Sequence, residues 1–329
     1  MPNPTSLEKI LAYYNIKPFM KDDDWVELGR KIKINQTDLR RIGGKTLEDY
    51  FFVMVQCYDN VEGTIVFNEA LSKLTDTPSP DGLILFKNGN SFLIEVKSTT
   101  EPTWSYSKNR LQKQKEFANK IGLDLFFAIF LNGYWGVYDY DFIESKKFKI
   151  EHPQDIRSSL FDSLFDPQLV KIPKGLKIIK HYSTNANAVS PTGTYDPGYG
   201  HQTKFAISYG NLYREFLRPE PALAFAAVDA SIYNFTVNRI NDEVQEVIQE
   251  CLTDICIYDY RFVLEPIQMS MNEVNKKNFN VSSFIAYSLS IGKVYFIQAK
   301  ENGISFIEYL KQIGFPFEIA KASESDYFF

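Results

Sequence analysis

The feature that most constrains the fold of this chain is a pair of apolar segments joined by Asn88-Gly89-Asn90. The stretch GLILFKNGNSFLIEVKS, residues 82–98, consists of two extended runs rich in Leu, Ile and Phe. An Asn-Gly dipeptide between such runs is typical of a β-hairpin, because both residues tolerate positive φ angles. The segment therefore predicts two antiparallel strands.

The length of the hairpin loop decides which side chains share a face. A two-residue loop would place Asp81 and Glu95 on opposite faces. A three-residue loop at 88–90 gives one consistently apolar face and places Asp81, Glu95 and Lys97 together on the other. The apolar pairs of this second register are Phe86 with Phe92, Ile84 with Ile94, and Gly82 with Val96. The apolar pattern favours the three-residue loop.

Elements on both sides of the hairpin complete an α/β pattern. Apolar residues recur at helical spacing over 47–55, after a Gly43-Gly44 break, and a second helix is predicted over 67–74. A polar helix over 105–121 and a second hairpin over 125–140 follow. The order helix, hairpin, helix, hairpin predicts a mixed β-sheet flanked by helices.

Composition narrows the chemistry. The 36 Lys and Arg residues against 41 Asp and Glu give a net charge of −5, so the whole protein does not attract nucleic acid electrostatically. Three cysteines without zinc spacing indicate buried thiols in a reducing compartment. The three histidines form no paired-ligand pattern, which argues against zinc hydrolysis and Ser-His-Asp chemistry. Carboxylates and lysine are therefore the predicted catalytic groups.

The same sequence predicts a cytoplasmic protein without membrane contact. No uninterrupted apolar run reaches the roughly 18 residues that a membrane-spanning helix needs. The first residues, MPNPTSLEKILAYY, lack the basic flank and long apolar stretch of a signal peptide.

Pro80-Asp81, followed on the next strand by Glu95-Val96-Lys97, resembles the signature of the PD-(D/E)XK nuclease superfamily. The flanking order also fits that family: a helix with a carboxylate, the hairpin with the motif, a basic helix and a further strand. The resemblance extends roughly over residues 40–140. It implies a restriction-endonuclease-like fold and metal-dependent nuclease activity.

The residue types of this motif suit phosphodiester hydrolysis. Mg²⁺ prefers a few carboxylate or carbonyl oxygens and retains waters, and Asp81 and Glu95 can supply two carboxylates. The resemblance implies the Val96 carbonyl as a third oxygen, and we expect Mn²⁺ to substitute for Mg²⁺. Because side chains alternate along a strand, Lys97 shares the face of Glu95. There it can orient or deprotonate the attacking water and offset transition-state charge.

A further carboxylate on the first helix often approaches the metal in this family, frequently after a glycine. Glu48, which follows Gly44, is the first candidate, and Glu69 is the alternative. An ordinary solvated helix glutamate is the competing interpretation of Glu48.

The helix after the motif carries four basic residues that are candidates for DNA phosphate contacts: Lys108, Arg110, Lys113 and Lys115. A solvated helix face is an equal alternative. Gln112 and Gln114 lie where similar nucleases place a polar residue near phosphate or water. Trp104 and Tyr106 are candidates for base stacking, although aromatic residues before a helix more often pack internally.

A shift in composition after Ser145 divides the chain into a catalytic domain over 1–150, a loop-rich connection over 151–203 and a C-terminal α+β domain over 204–329 for target recognition or assembly. In the last region a helix is predicted over 241–252 and a strand-rich segment over 284–298. Gln298-Ala299-Lys300 resembles the Gln-x-Lys variant of some restriction endonucleases. No aspartate precedes it at the expected distance, so we interpret it as a plain strand.

These features predict a Mg²⁺-dependent endonuclease that hydrolyses DNA and is of the restriction type. A homodimer is expected, because cutting a duplex requires two cleavages. The alternatives are a structure-specific, repair, mobile-element or defence nuclease on the same fold, and a non-catalytic nucleic-acid-binding module. The fold alone does not establish activity, but the complete set of Asp81, Glu95 and Lys97 argues against the non-catalytic alternative.

Overall fold

A computed structural model describes residues 6–16, 20–67, 79–99, 101–190, 195–218, 224–266 and 281–322. The chain divides into two compact units with a boundary between Asp166 and Pro167, and the residues after Lys293 return to the second unit. Residues 168–172 and 177–183, inside the predicted loop-rich connection, are strands of the second unit. Their apolar side chains, among them Val170 and Ile178, are fully buried.

Among the described residues, six α-helices lie wholly in the first unit, which also includes residues 281–293 of a later helix. They are α1 (Ser6–Ile16), α2 (Asp22–Lys31), α3 (Gln36–Val55), α4 (Lys108–Ile121), α5 (Tyr140–Ser145) and α6 (Phe161–Phe165). Helix α3 begins earlier than predicted and runs through Gly43-Gly44 without a break. Its start is fixed by a capping box, in which Asn35 and Asp38 each accept a hydrogen bond from the other's backbone N–H. The helix predicted over 67–74 lies, from residue 68, outside the described residues, as does Glu69.

The centre of the first unit is a five-stranded mixed sheet, as the sequence predicts. Its strands are β1 (Val61–Val66), β2 (Gly82–Phe86), β3 (Ser91–Thr99), β5 (Asp124–Leu131) and β6 (Tyr134–Asp139), in that spatial order. Strands β3 and β5 are parallel, and the other neighbours are antiparallel. The short strands β4 (Thr103–Ser105) and β7 (Lys149–Glu151) form a separate pair. The prediction of a mixed sheet flanked by helices is confirmed.

The register of the β2–β3 hairpin differs from the predicted one. Gly82 pairs with Ile94 and Ile84 pairs with Phe92, so the loop occupies 87–89 instead of 88–90. The predicted pairing was therefore wrong by one residue in the position of the loop.

Gly89 explains this shift. It has a φ of +86°, and its N–H donates to the Phe86 carbonyl, while the Phe86 N–H donates to the Asn90 carbonyl. A common three-residue hairpin loop requires positive φ at its last position. The glycine therefore ends the loop, whereas the sequence analysis placed it at the centre.

Helices cover both faces of this sheet. Helix α4 packs through Leu111 in one apolar cluster with Leu93 and Phe127, on the face that carries Glu95. Helix α3 packs on the opposite face, where Phe51 contacts the Trp135 ring at a centroid distance of 4.9 Å. A polar side chain in the middle of β3 is consequently buried.

Gly82 permits the close approach of the elements beside Asp81. A Cβ atom there would lie 2.5 Å from the Ile65 carbonyl oxygen and 2.7 Å from Cζ of Phe52. Real Cβ contacts of this length do not occur, so any other residue would push β1 and α3 away from the start of β2. The glycine after Asp81 thus helps to fix where this aspartate lies.

The second unit is α+β. Its strands are β8 (Gln168–Ile172), β9 (Lys177–Ser183), β10 (Tyr195–Asp196), β11 (Gly200–Tyr209), β12 (Leu212–Phe216), β13 (Phe235–Arg239), β14 (Val244–Glu250), β15 (Ile255–Tyr258) and β16 (Glu318–Lys321). Its helices are α7 (Ala226–Asp229), α8 (261–266) and the part of α9 (Val281–Gln312) beyond residue 293. A six-stranded and a three-stranded sheet result.

Two secondary-structure predictions in this unit were wrong. The segment 241–252, predicted as a helix, contains strand β14, which pairs with β9 and β13 on its two sides. The segment 284–298, predicted as strand-rich, is helical, so Gln298-Ala299-Lys300 lies in α9. In both cases pairing and packing with distant residues override the local propensity.

Across the described residues, no helix is long and apolar enough to cross a membrane.

Candidate active site

Asp81 is fixed by the strand beside it. Only 4% of the residue is exposed, and its Oδ2 accepts a hydrogen bond from the Val96 N–H at 2.7 Å. This bond holds the carboxylate across the end of the hairpin, next to β3. The position of Asp81 therefore depends on the strand pairing as well as on its own backbone.

Lys97 joins the two acidic residues of the motif. Its Nζ lies 3.2 Å from Asp81 Oδ2 and 2.7 Å from Glu95 Oε1, and it donates to the Val96 carbonyl at 2.8 Å. Both carboxylates thus converge on one ammonium group. The prediction that Asp81, Glu95 and Lys97 share a face is confirmed, because the observed and the predicted registers both pair odd-numbered residues with odd-numbered ones.

Glu95 is completely buried, although the sequence analysis placed it on the face opposite the apolar face of the hairpin. Burial first, and the nearby Asp81 charge second, raise the pKa of Glu95 above its ordinary value. Lys97 and a hydrogen bond donated by the Tyr106 hydroxyl at 2.7 Å act in the opposite direction. Burial of this carboxylate therefore costs free energy of folding.

Lys97 remains a cation in this surrounding. Burial alone would lower its pKa, but the charges of Asp81 and Glu95 outweigh burial and raise it above the ordinary lysine value. A lysine with a raised pKa is protonated at neutral pH. Lys97 is thus a hydrogen-bond donor and a counter-charge here, and the base function considered from the sequence is not favoured.

Helix α3 adds a lysine that the sequence analysis missed. Lys45 Nζ lies 2.7 Å from Asp49 Oδ1 and 3.5 Å from Glu48 Oε2. Burial would lower the Lys45 pKa, but the charges of Asp49, Glu48 and, least of the three, Asp81 raise it. Glu48, the predicted helix carboxylate, accordingly contacts Lys45. The i, i+3 and i, i+4 spacing of Lys45 to the two acids was the available signal.

The four basic residues of α4 do not form one surface. Arg110 Nη2 lies 3.5 Å from Glu95 Oε1, and its side chain is 49% exposed. Lys115 lies over the Tyr140 ring and Lys108 over the Phe148 ring, whereas Lys113 is exposed. Arg110 therefore belongs to the motif site, and Lys108 and Lys113 are placed on the exposed part of the helix.

The remaining predicted polar and aromatic residues also differ in their exposure to solvent. Gln112 is exposed, whereas Gln114 is completely buried and its Oε1 lies 3.4 Å from the Tyr106 hydroxyl. Trp104 is buried and stacks on Tyr106 at a centroid distance of 5.3 Å. Both aromatic rings pack internally, as the more common interpretation has it.

One feature of this site suits the binding of a hard divalent cation. Glu95 Oε2 is buried and has no hydrogen-bond partner within the described part of the chain. Together with Asp81 and the Val96 carbonyl, it belongs to an all-oxygen set of the kind that Mg²⁺ prefers. No group of three or more His, Cys, Asp or Glu side chains that could hold a metal occurs among the described residues.

No protein-family model matches the chain, and no curated protein matches it. Among solved structures, it is similar to Hjc, a Holliday junction resolvase of the archaeal hyperthermophile Archaeoglobus fulgidus. The sequences are 21% identical, with 34% of this chain and 88% of the resolvase covered and a TM-score of 0.28.

Proposed function

We propose that this chain is a Mg²⁺-dependent endonuclease of the restriction type that hydrolyses phosphodiester bonds in DNA. The observation that carries the proposal is the convergence of the Asp81 carboxylate, just before β2, and the Glu95 carboxylate, in β3, on the Lys97 ammonium. Burying charges costs stability unless they are well paired, and carboxylates with raised pKa values cluster at functional sites. A purely structural role would gain little from two acids around one lysine.

Asp81, Glu95 and the Val96 carbonyl would hold the Mg²⁺ ion, for which Mn²⁺ would substitute. When bound, the ion supplies Lewis acidity and a more acidic water. Each of these three groups contributes an oxygen atom that the Lys97 ammonium contacts. Lys97 therefore offsets the negative charge of the ligand set.

The cationic side chains would receive the scissile phosphate. Lys97, protonated at neutral pH, would exchange one of its three acceptors for a phosphoryl oxygen or the attacking water. Arg110, which is half exposed beside Glu95, would contact the same phosphate. Lys108 and Lys113 would contact the DNA backbone further along α4. Because a duplex has two strands, the active form would be a homodimer.

Incubation of the purified chain with supercoiled plasmid tests this function. We expect nicked and linear products with Mg²⁺ or Mn²⁺, and none with EDTA. Glu95→Gln, purified in the same way, controls for a contaminating nuclease. Equal cleavage by that variant, or cleavage in EDTA, would contradict the proposal. Branched, single-stranded and RNA substrates, tested in parallel, separate a restriction-type enzyme from a structure-specific nuclease.

A further inference from the structure

Tyr106 is the residue between the motif and α4 that contacts Glu95 directly. Its hydroxyl donates to Glu95 Oε1 at 2.7 Å, the same oxygen that lies 2.7 Å from Lys97 Nζ. The ring is held by stacking on Trp104 and lies at 6.1 Å from the Phe127 ring. Two donors on one carboxylate oxygen fix the rotation of the Glu95 side chain.

Gln114 completes the surroundings of this hydroxyl. A tyrosine hydroxyl has one proton, and the charged Glu95 oxygen at 2.7 Å takes it in preference to Gln114 Oε1 at 3.4 Å. The Gln114 Nε2 has no partner within the described residues. Turning the amide by 180° lets Nε2 donate to the hydroxyl oxygen, and then Oε1 lacks a donor. A buried glutamine with a spare polar atom is rare in a site that only packs.

The other oxygen of Glu95 shows what this arrangement achieves. Oε2 is buried and has no partner within the described part of the chain, although Oε1 has three cationic or hydroxyl neighbours. Carboxylates that bind a metal are usually held by such hydrogen bonds on the oxygen that does not bind. The two oxygens of Glu95 are therefore chemically distinct.

We propose that Tyr106 is a positioning residue, supported by Gln114, that binds Glu95 Oε1 and thereby directs Oε2 toward the divalent cation. This inference rests on the proposed function, since it assumes that the site binds a metal. Neither residue would touch the DNA or the attacking water. Their contribution would be to metal affinity and hence to the concentration of Mg²⁺ that cleavage requires.

The variant Tyr106→Phe tests the proposal, because it removes only the hydroxyl and keeps the ring on Trp104. Titration calorimetry of the full chain with MnCl₂ should show a dissociation constant for Mn²⁺ raised by about 10- to 100-fold. The Mg²⁺ concentration for half-maximal plasmid cleavage should rise in parallel. DNA affinity in EDTA should stay at the wild-type value, which a general loss of structure would not allow.

Tyr13→Phe is the matched control. Tyr13 is a buried tyrosine of the same unit, and its hydroxyl donates to the Trp25 carbonyl at 3.2 Å, away from the motif. Its loss should leave the Mn²⁺ dissociation constant unchanged. Equal Mn²⁺ affinity in Tyr106→Phe and the wild type would overturn the positioning role while leaving the nuclease function intact. A wild-type chain that binds no Mn²⁺ and cleaves no DNA would instead overturn the proposed function, and this inference with it.

Gln114→Met provides a second variant of similar volume if Tyr106→Phe does not fold. It removes both polar atoms of the amide and leaves the Tyr106 hydroxyl on Glu95. The Mn²⁺ dissociation constant should change in the same direction as in Tyr106→Phe, by a smaller factor. A Gln114→Met chain with wild-type Mn²⁺ affinity and a raised melting temperature would show that the buried Gln114 amide only lowers stability. That result would contradict the part of Gln114 in the proposal.

Discussion

Two segments of this chain have nearly the same sequence pattern: Glu95-Val96-Lys97 in the first unit and Gln298-Ala299-Lys300 in the second. They adopt different secondary structures. The first lies in strand β3, where residues two apart share a face, so Glu95 and Lys97 meet at 2.7 Å. The second lies in a helix, where residues two apart point in different directions. Gln298 is exposed and Lys300 is buried.

Each lysine nevertheless has a buried aspartate nearby. Lys97 Nζ lies 3.2 Å from Asp81 Oδ2, and Lys300 Nζ lies 3.9 Å from Asp259 Oδ2. The two segments differ in residue type and in period: residue 95 is an acid where residue 298 is an amide, and the strand period places Glu95 on the face of Lys97. A Glu-x-Lys pattern therefore brings its own carboxylate to the lysine when it lies in a strand.

The largest expected effect is on cleavage. Asp81→Asn, Glu95→Gln and Lys97→Met should each reduce plasmid cleavage by at least about 10²-fold, because each removes a charge from the site that would bind metal and phosphate. Near-isosteric variants are preferred, since the carboxylates are buried and alanine would leave a cavity. Initial cleavage rates at saturating Mg²⁺ measure the effect.

Gln298→Ala is the matched control for this comparison. Gln298 is exposed on its helix, so the variant should cleave at the wild-type rate. A loss of activity in Gln298→Ala as large as in Glu95→Gln would contradict the distinction between the two segments. Full activity in any of the three first-unit variants would exclude that residue from the site.

A smaller effect is expected on DNA affinity, where the lysines of the two units can be compared. Lys108 and Lys113 are exposed on α4, and no carboxylate partner of Lys113 is found among the described residues. Lys171 lies 3.2 Å from Glu318 and Lys177 lies 3.6 Å from Glu250, so their charges are already paired. Replacement of Lys108 and Lys113 by alanine should weaken DNA binding of all sequences alike.

The salt dependence gives the measurement. Each lost phosphate contact should reduce the slope of log affinity against log salt by about 0.9. Fluorescence anisotropy measures binding to a labelled duplex at several salt concentrations. The Glu95→Gln background prevents cleavage of the duplex during the measurement. The pair Lys171→Ala and Lys177→Ala should leave the slope unchanged. An opposite ranking of the two pairs would assign DNA binding to the second unit.

The smallest effect is on stability and its pH dependence. The pKa of Glu95 is raised in the fold, chiefly by burial, so between the unfolded pKa and the folded pKa the native chain binds more protons than the unfolded chain. The free energy of unfolding therefore falls as the pH rises through that interval. Glu95→Gln should be more stable than the wild type at pH 7, and this gain should shrink as the pH falls to the ordinary glutamate range.

Urea denaturation at pH 7 and at acid pH checks this prediction. The comparison variant Gln298→Glu places an acid at the exposed position of the other segment and should change stability by less than about 0.5 kcal/mol. A Glu95→Gln chain that is less stable than the wild type at pH 7 would mean that the ion pair with Lys97 outweighs burial.

Local sequence signals were sufficient for much of the first unit. The Asn-Gly turns and apolar runs predicted both hairpins, and the spacing of α4 predicted a helix over nearly its observed length. In the second unit, the segment 241–252 has the composition of a helix and becomes a strand because β9 and β13 pair with it on both sides. No signal within residues 241–252 indicates that β9 and β13 pair with this segment.

The sequence by itself determined that Asp81, Glu95 and Lys97 share a face, because the side-chain period of a strand is two and both three-residue loops preserve it. Only the tertiary structure decided that Glu95 is fully buried, that Tyr106 donates to it, and that Arg110 approaches it. These contacts join β3 to the segment before α4 and to α4 itself. Their distances follow from how the helices pack on the two faces of the sheet, and that packing is a property of the whole unit.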